Sequence, residues 1–240
     1  MFLLDGVIVT SASDLTEASK CEFAFLRTLD VKLGRLEKTE EIEDPMYVRS
    51  SRMGDEHEHR ILERYRERFG ARVAEIERPP QLTADSLAEA VRRTSEAFER
   101  GAEVVFQATF FDGAFVGFAD FVVRMPDGRY RVQDSKLARG ARVTALLQLA
   151  AYAEQLRRMG VDVDDTVELL LGDGSVSEHH LSDIEPVYRK RRARLLAIID
   201  EHVADDGPVA WGDLRFTVDG RCDTCDAEVQ ASHDVLLVAG

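Results

Sequence analysis

The sequence has 240 residues, of which 45% are hydrophobic and 32% are charged, a composition typical of a globular protein with a substantial core. Asp and Glu number 45 against 31 Lys and Arg, so the net charge of −14 excludes a protein that coats nucleic acid or anionic membrane through bulk positive charge. No apolar run approaches the roughly 20 residues that a membrane span needs, and Asp5 interrupts the apolar amino terminus, which argues against a signal peptide.

The first part of the chain is predicted to be mainly helical. Helices are expected over about 14–29, 52–69 and 84–99. A charged, loop-like stretch, Arg35–Asp44, separates the first two, and a short strand near 73–76 precedes the third.

The middle of the chain changes to strand patterning. Glu103–Phe111 and Ala114–Arg124 flank an Asp112-Gly113 hairpin turn, and a turn at Pro126–Gly128 leads to a third strand, Arg129–Lys136. Consecutive strands joined by tight turns predict an antiparallel meander.

The last part returns to alternating elements. We expect a helix over Arg142–Met159, strands at Thr166–Leu171 and Val176–Leu181, and a final helix capped by Ser182 or Asp183. This order predicts an α/β fold in which a central mixed sheet is flanked by helices. We treat the chain as one domain with three parts. They are an amino-terminal helical part at about 1–100, a sheet core at about 101–181, and a carboxyl-terminal helix and cysteine tail at about 182–240.

Asp134 and Lys136 interrupt the pattern of the third predicted strand. Positions two apart share one face of a strand, so both lie on the face of Val132, which we expect to be the core side. Burying charges is costly unless they are paired or bind a metal. A structural ion pair would explain them, but same-face neighbours are roughly 6.6 Å apart along a strand. This spacing favours a third partner between them over direct contact.

Asp120 is the single charge in Ala114–Val123, a segment that is apolar on both faces as a central strand should be. The meander places it beside the strand of Asp134, with strands about 4.8 Å apart. Two neighbouring carboxylates repel each other unless a cation lies between them, and hard oxygen ligands suit magnesium or manganese. In the alternative interpretation, Asp120 caps a turn or accepts a hydrogen bond from a backbone amide.

Three other polar side chains lie on predicted helices. His57 stands at the edge of its helix, where a histidine is most often solvated or satisfied by a neighbour. Gln148 and Tyr152 are four residues apart on the face expected to meet the sheet, where they could close a buried hydrogen bond.

These features follow one another along a helix, two strands and a helix. In chain order the motifs are Gly54-x-x-His57, Asp120, Asp134-x-Lys136 and Gln148-x-x-x-Tyr152. This combination resembles the RecB-like branch of the PD-(D/E)xK nuclease superfamily, which includes CRISPR-associated exonucleases, from about Ser13 to the carboxyl end. The resemblance implies a restriction-endonuclease-like core and a metal-dependent deoxyribonuclease, in particular an exonuclease.

The resemblance also implies roles for individual residues. Asp120 and Asp134 would hold Mg²⁺ or Mn²⁺, with the backbone carbonyl of Ser135 and the side chain of His57 as further ligands. Lys136 would position or activate the attacking water. The remaining pair of the motif, Gln148 and Tyr152, would orient the nucleic acid strand and the lysine.

The odd number of cysteines and the absence of any sign of secretion favour a reduced, cytoplasmic protein, in which clustered thiols more often bind metal than form disulfides. Several RecB-like nucleases carry an iron–sulfur cluster held by one cysteine before the nuclease core and three after it. Cys21, Cys222 and Cys225 match part of this pattern and would tie the first helix to the tail. Three cysteines do not complete a 4Fe–4S site, so a further ligand, a zinc site, or three reduced thiols are the alternatives. The candidate further ligands are Asp223, Asp226 and His233.

Two sets of basic residues could line a path for phosphates; the alternative is a solvated helix face, which explains the first set at least as well. One is the run Arg189, Lys190, Arg191, Arg192 and Arg194; the other is Arg139, Arg142, Arg157 and Arg158.

These observations lead to the hypothesis of a nuclease that cuts DNA, as single strands or duplex ends, in repair or recombination. The apolar end, Val235–Gly240, suggests the front part of a longer protein, with a helicase or second nuclease domain in the same or another chain. The alternatives are a non-catalytic module that keeps the nuclease fold and binds nucleic acid or protein, and a structural module stapled by cysteine-bound metal.

Overall fold

A computed structural model describes residues 1–38, 45–219 and 222–232. Part of the predicted loop after Arg35, His233 and the apolar end Val235–Gly240 lie outside the described residues. The chain divides into two compact units, the first formed by 1–40 with 189–240 and the second by 41–188.

The described residues form the following elements in chain order. They are β1 (Phe2–Leu4), β2 (Val7–Ser11), α1 (Ala12–Lys20), α2 (Glu22–Lys32), α3 (Pro45–Phe69), a 3-10 turn (Gly70–Arg72), β3 (Val73–Glu75), α4 (Ala84–Glu99), β4 (Val104–Phe111), β5 (Phe115–Arg124), β6 (Tyr130–Lys136), α5 (Val143–Arg158), β7 (Thr166–Leu171), β8 (Val176–His180), α6 (Leu181–Val203) and α7 (Asp223–Ser232).

The second unit is built around a mixed sheet with strand order β3-β4-β5-β6-β7-β8. The pairs β4–β5, β5–β6 and β7–β8 are antiparallel, whereas β3–β4 and β6–β7 are parallel. The sheet and the helices around it confirm the predicted α/β class, and β4-β5-β6 is the predicted meander.

The turns of the meander form for the reasons that the sequence suggests. Asp112 Oδ1 accepts hydrogen bonds from the amides of Ala114 and Phe115, and Gly113 has φ +91°. A glycine adopts this left-handed conformation at little cost, which fixes the length of the β4–β5 hairpin.

Helix α3 packs against the sheet through a buried apolar cluster. Its residues Ile61 and Leu62 form one buried cluster with Val104, Phe121 and Leu170, and burying each large aliphatic side chain stabilises the fold by roughly 1.5–3 kcal/mol. This packing fixes the middle of α3 against the sheet.

Two predicted boundaries in the second unit were wrong. Helix α3 begins at Pro45 rather than near Arg52. Helix α6 begins at Leu181 and is capped from outside, because Ser182 donates its amide and hydroxyl to the carboxylate of Asp165 at 3.1 and 3.2 Å. A cap supplied by a residue 17 positions away leaves no local sequence signal.

The first unit contains a β-hairpin that the sequence analysis missed. β1 and β2 pair antiparallel around a two-residue turn in which Asp5 and Gly6 have φ of +50° and +82°. Asp-Gly between apolar residues is a strong hairpin signal, so the element was predictable.

The single helix expected over 14–29 was wrong. The chain breaks at Cys21, whose extended backbone (φ −154°, ψ 109°) ends α1 and begins α2. Cys21 Sγ accepts a hydrogen bond from the amide of Ala24, so the thiol caps α2. No proline or glycine marks this break, so the apolar periodicity of 14–29 predicts one continuous helix.

Two buried carboxylates join residues of the first unit that are distant along the chain. Asp30 accepts hydrogen bonds from His202 Nε2 at 2.6 Å and from the amide of Val209 at 2.9 Å. Arg194 makes two contacts of 2.7 Å with the carboxylate of Glu22. Paired and hydrogen-bonded in this way, the buried charges are compatible with a folded core.

Within the ranges that the structure describes, no helix combines the length and the apolar character needed to cross a membrane.

Candidate active site

Asp120 is held by the neighbouring strand. Its Oδ2 accepts hydrogen bonds from both the amide and the hydroxyl of Ser135, each at 2.8 Å. The last backbone pair between β5 and β6 on this side is Phe121↔Gln133. The two hydrogen bonds from Ser135 to Asp120 continue the contact between the strands beyond that pair. Asp120 thus accepts a hydrogen bond from a backbone amide, as the alternative interpretation expects, and the bonds fix its carboxylate beside β6; its role as a metal ligand stays a prediction.

Asp134 is a buried carboxylate that is only partly satisfied. It is 1% exposed, its Oδ1 has no hydrogen-bond partner in the described part of the chain, and its Oδ2 contacts the ammonium of Lys136. Burial, and then the negative charge of Asp120, raises the pKa of Asp134 to about 8 against the opposing effect of Lys136. Such an arrangement is costly unless a further group compensates the charge.

Lys136 contacts Asp134 directly, contrary to the expectation from strand spacing. Its Nζ lies 2.6 Å from Asp134 Oδ2, because the long lysine stem spans the distance between same-face positions. Burial would lower the pKa of Lys136, but the charges of Asp134, Asp120 and Glu58 outweigh it and raise the pKa. The ammonium therefore stays charged at neutral pH.

Glu58 is the residue of the site that the sequence analysis missed. Burial and the charge of Asp120 raise the pKa of Glu58 to about 7, although a hydrogen bond from Gln107 opposes them. Gln107 Nε2 donates that bond to Glu58 Oε1. The available signal was a carboxylate on the core-facing stripe of α3, next to Ile61 and Leu62.

His57 is buried but directed elsewhere. Its Nε2 lies 3.0 Å from the carbonyl oxygen of Leu170. Successive helical residues are about 100° apart around the axis, so α3 presents Glu58 rather than His57 to Asp120. Binding of a metal through His57 Nε2 would require this contact to break.

Gln148 and Tyr152 form the predicted pair. Gln148 Nε2 donates to the Tyr152 hydroxyl at 2.9 Å, and the Tyr152 ring stacks on Phe110 with centroids 5.9 Å apart. Burial, followed by the negative charge of Asp134, raises the pKa of Tyr152, so its hydroxyl remains a neutral donor.

The donor set of this site fits a hard divalent cation. Glu58, Asp120 and Asp134 supply carboxylate oxygens, the ligands that Mg²⁺ and Mn²⁺ prefer. The observation that carries the fit is the buried Oδ1 of Asp134, which has no hydrogen-bond partner among the described residues and which a cation would compensate.

The three cysteines meet in the first unit. The sulfur atoms of Cys21, Cys222 and Cys225 all lie within 4.8 Å of one another, and those of Cys21 and Cys225 are 3.4 Å apart. Burial raises the pKa of the Cys225 thiol to about 12. A cleft of about 540 Å³ beside them is lined by Asp219 and Asp223. The three thiols could bind a metal, as the sequence suggested.

Several of the basic residues considered for phosphate binding are engaged in ion pairs. Arg194 pairs with Glu22, Arg157 with Glu185, and Arg158 with both Asp112 and Glu154.

No protein-family model matches the chain, and no curated protein matches it. Among solved structures, the chain is similar to the crystal structure of a candidate exonuclease from Eubacterium rectale, with a TM-score of 0.47 and 15% sequence identity. The match covers 91% of this chain and 87% of that one. A similarity at this level does not indicate an activity. The function is therefore inferred from the side chains of the candidate site.

Proposed function

We propose that the protein is a metal-dependent nuclease of the RecB-like PD-(D/E)xK type. Its substrate would be DNA, as single strands or duplex ends, cut by an exonuclease that acts in repair or recombination. The observation that carries the proposal is the buried carboxylate of Asp134, whose Oδ1 has no hydrogen-bond partner among the described residues and whose charge is influenced by both Asp120 and the ammonium of Lys136.

Asp120, Asp134 and Glu58 would hold Mg²⁺ or Mn²⁺, and Ser135 and His57 remain the further ligands predicted from the resemblance. A bound divalent cation polarises the phosphoryl oxygen and lowers the pKa of water.

The chain's own groups would handle the substrate. Lys136 would donate hydrogen bonds from its ammonium to the attacking water or to a non-bridging phosphate oxygen, where negative charge develops. Tyr152 and Gln148 would orient the strand next to it.

The test is cleavage of labelled single- and double-stranded DNA in Mn²⁺, in Mg²⁺ and in chelator. Asp134→Ala and Lys136→Ala should each abolish metal-dependent cleavage while the protein stays folded by circular dichroism. The exposed control variants Asp85→Asn and Lys32→Ala should retain it. A folded wild-type protein that binds DNA without cutting it would instead support the non-catalytic binding module.

The convergence of three thiols favours a second, structural role for a metal. We propose that Cys21, Cys222 and Cys225 hold a 4Fe–4S cluster or Zn²⁺ that staples the first unit. Metal analysis and visible absorption of anaerobically purified protein distinguish the two, since only the cluster is coloured. Metal at the cysteines without metal at the carboxylates would support the structural-module alternative.

A further inference from the structure

Gln107 has an unusual backbone. It lies within β4 with φ +55°, a left-handed conformation that costs a residue with a side chain about 1–3 kcal/mol. The other described non-glycine residue with positive φ is Asp5, which lies in the β1–β2 turn. Strain in the middle of a strand persists only when its surroundings impose it, and such strain clusters at functional sites.

The strained residue interrupts the sheet next to the candidate site. Phe106↔Phe121 and Ala108↔Ala119 are paired across β4 and β5, whereas the intervening position, Gln107 opposite Asp120, is not. The left-handed backbone therefore takes Gln107 out of the regular ladder. Its side-chain amide donates to Glu58 Oε1 on α3.

A neutral donor at this place has a chemical consequence. The Gln107 amide donates to the carboxylate of Glu58 without adding a positive charge to the site. A lysine or arginine there would compete with a cation, whereas an amide orients the carboxylate and leaves its charge available.

We propose that Gln107 is a positioning residue of the metal site, which the strained backbone of β4 places so that its amide holds Glu58 beside Asp120 to bind a divalent cation. This inference rests on the proposed function, because the cation is the one that the nuclease would use.

The test is Mn²⁺ binding by calorimetry, with thermal unfolding in chelator as a second measurement. Gln107→Gly relieves the backbone strain and removes the amide, so Mn²⁺ affinity should fall about 10- to 100-fold, while the melting temperature in chelator stays the same or rises. Asp5→Gly is the matched control, because it relieves the same type of strain far along the chain, and it should leave Mn²⁺ affinity unchanged.

Two further variants separate positioning from a general structural role. Gln107→Asn tolerates the left-handed backbone and keeps an amide, but it is one methylene too short to reach Glu58, so it should lose affinity as Gln107→Gly does. In a Glu58→Gln background, Gln107→Gly should have little further effect, because Gln107 acts through Glu58.

The outcomes are distinguishable. If the wild-type protein neither binds Mn²⁺ nor cuts DNA, the proposed function is wrong and this inference is lost with it. If the wild-type protein does both and Gln107→Gly binds Mn²⁺ equally well, the inference about Gln107 alone is overturned.

Discussion

Asp134 reaches its position through ordinary strand alternation, and that position is energetically unfavourable. The face that buries Val132 also buries Asp134, and among the described residues Lys136 is the cation that contacts it. Ground-state stability is therefore reduced where the proposed cation would bind.

Replacing Asp134 with a neutral residue should change how the stability of the protein depends on pH. The pKa of about 8 in the folded protein exceeds the unfolded value of about 3.9. The folded state thus binds the proton more tightly, and stability in chelator should fall as pH rises from about 4 through about 8. We expect Asp134→Asn to flatten this decline and to raise the melting temperature at pH 9 by at least about 2–4 °C, the equivalent of about 1 kcal/mol.

The measurement is thermal unfolding in chelator from pH 5 to 9, with the exposed Asp85→Asn as control. Equal pH dependence of the wild type and Asp134→Asn would show that the buried carboxylate is not the group responsible.

Residue-level predictions from sequence arise where chemistry conflicts with a pattern. Asp120 and Asp134 stand out because charges interrupt apolar strands; in the structure Asp134 contacts Lys136 and Asp120 is bound to Ser135, while their role at a metal site stays a prediction. Glu58 was missed because a charged helix such as α3 offers many carboxylates. Gln107 was beyond prediction, since its contribution depends on a backbone angle that its residue type does not favour.

At the scale of elements, two glycines set the distances between the sheet and its neighbours. A Cβ added at Gly117 would lie 2.8 Å from Tyr152 Cε1, so its absence lets the tyrosine ring lie against β5. A Cβ at Gly172 would lie 2.5 Å from the carbonyl oxygen of Leu137, directly after β6.

Gly117→Ala should displace Tyr152 and break its hydrogen bond with Gln148, with a loss of stability of about 1–3 kcal/mol and of DNA cleavage. Gly140→Ala is the matched control, because nothing lies within 4 Å of its added Cβ. Unfolding and cleavage assays on both variants check this, and an unaffected Gly117→Ala would mean that the ring position is not critical.

Gly172→Ala should be more damaging, since the clash is with backbone rather than a side chain that can move. We expect its melting temperature to fall below that of Gly117→Ala, and hydrogen exchange to increase over 137–142, the segment that follows Lys136. Unchanged exchange there, with Gly140→Ala again as reference, would contradict the close approach.

The elements themselves were predictable to the extent that their signals are local. Asp-Gly turns identified the meander, and the same signal at Asp5-Gly6 was available. The break at Cys21 and the cap of Ser182 by Asp165 depend on partners that the linear pattern does not contain.

At the scale of the whole molecule, the cysteines join distant parts of the chain. Cys21 and Cys225 are 204 residues apart, so a metal shared by them closes a very long loop. Binding energy at such a site is folding energy, and cross-linking a loop of this length restricts the unfolded chain strongly.

Removal of the cysteine metal by a chelator should therefore lower the melting temperature by several degrees. Cys225→Ser should reproduce the loss and respond no further to the chelator, which makes it the internal control. Cys21→Ser is expected to keep the cap of α2 through its hydroxyl while losing the metal. A melting temperature that is insensitive to both treatments would argue against the staple.

The division of the chain into a continuous unit, 41–188, and a unit assembled from 1–40 and 189–240 has a consequence for synthesis on the ribosome. The sheet that carries Asp120 and Asp134 can begin to fold as soon as its own residues have emerged, since domains generally fold as units. Residues 1–40, although made first, must wait for partners that are translated more than a hundred residues later. The order in which the two units fold would thus reverse the order in which their first residues are synthesised.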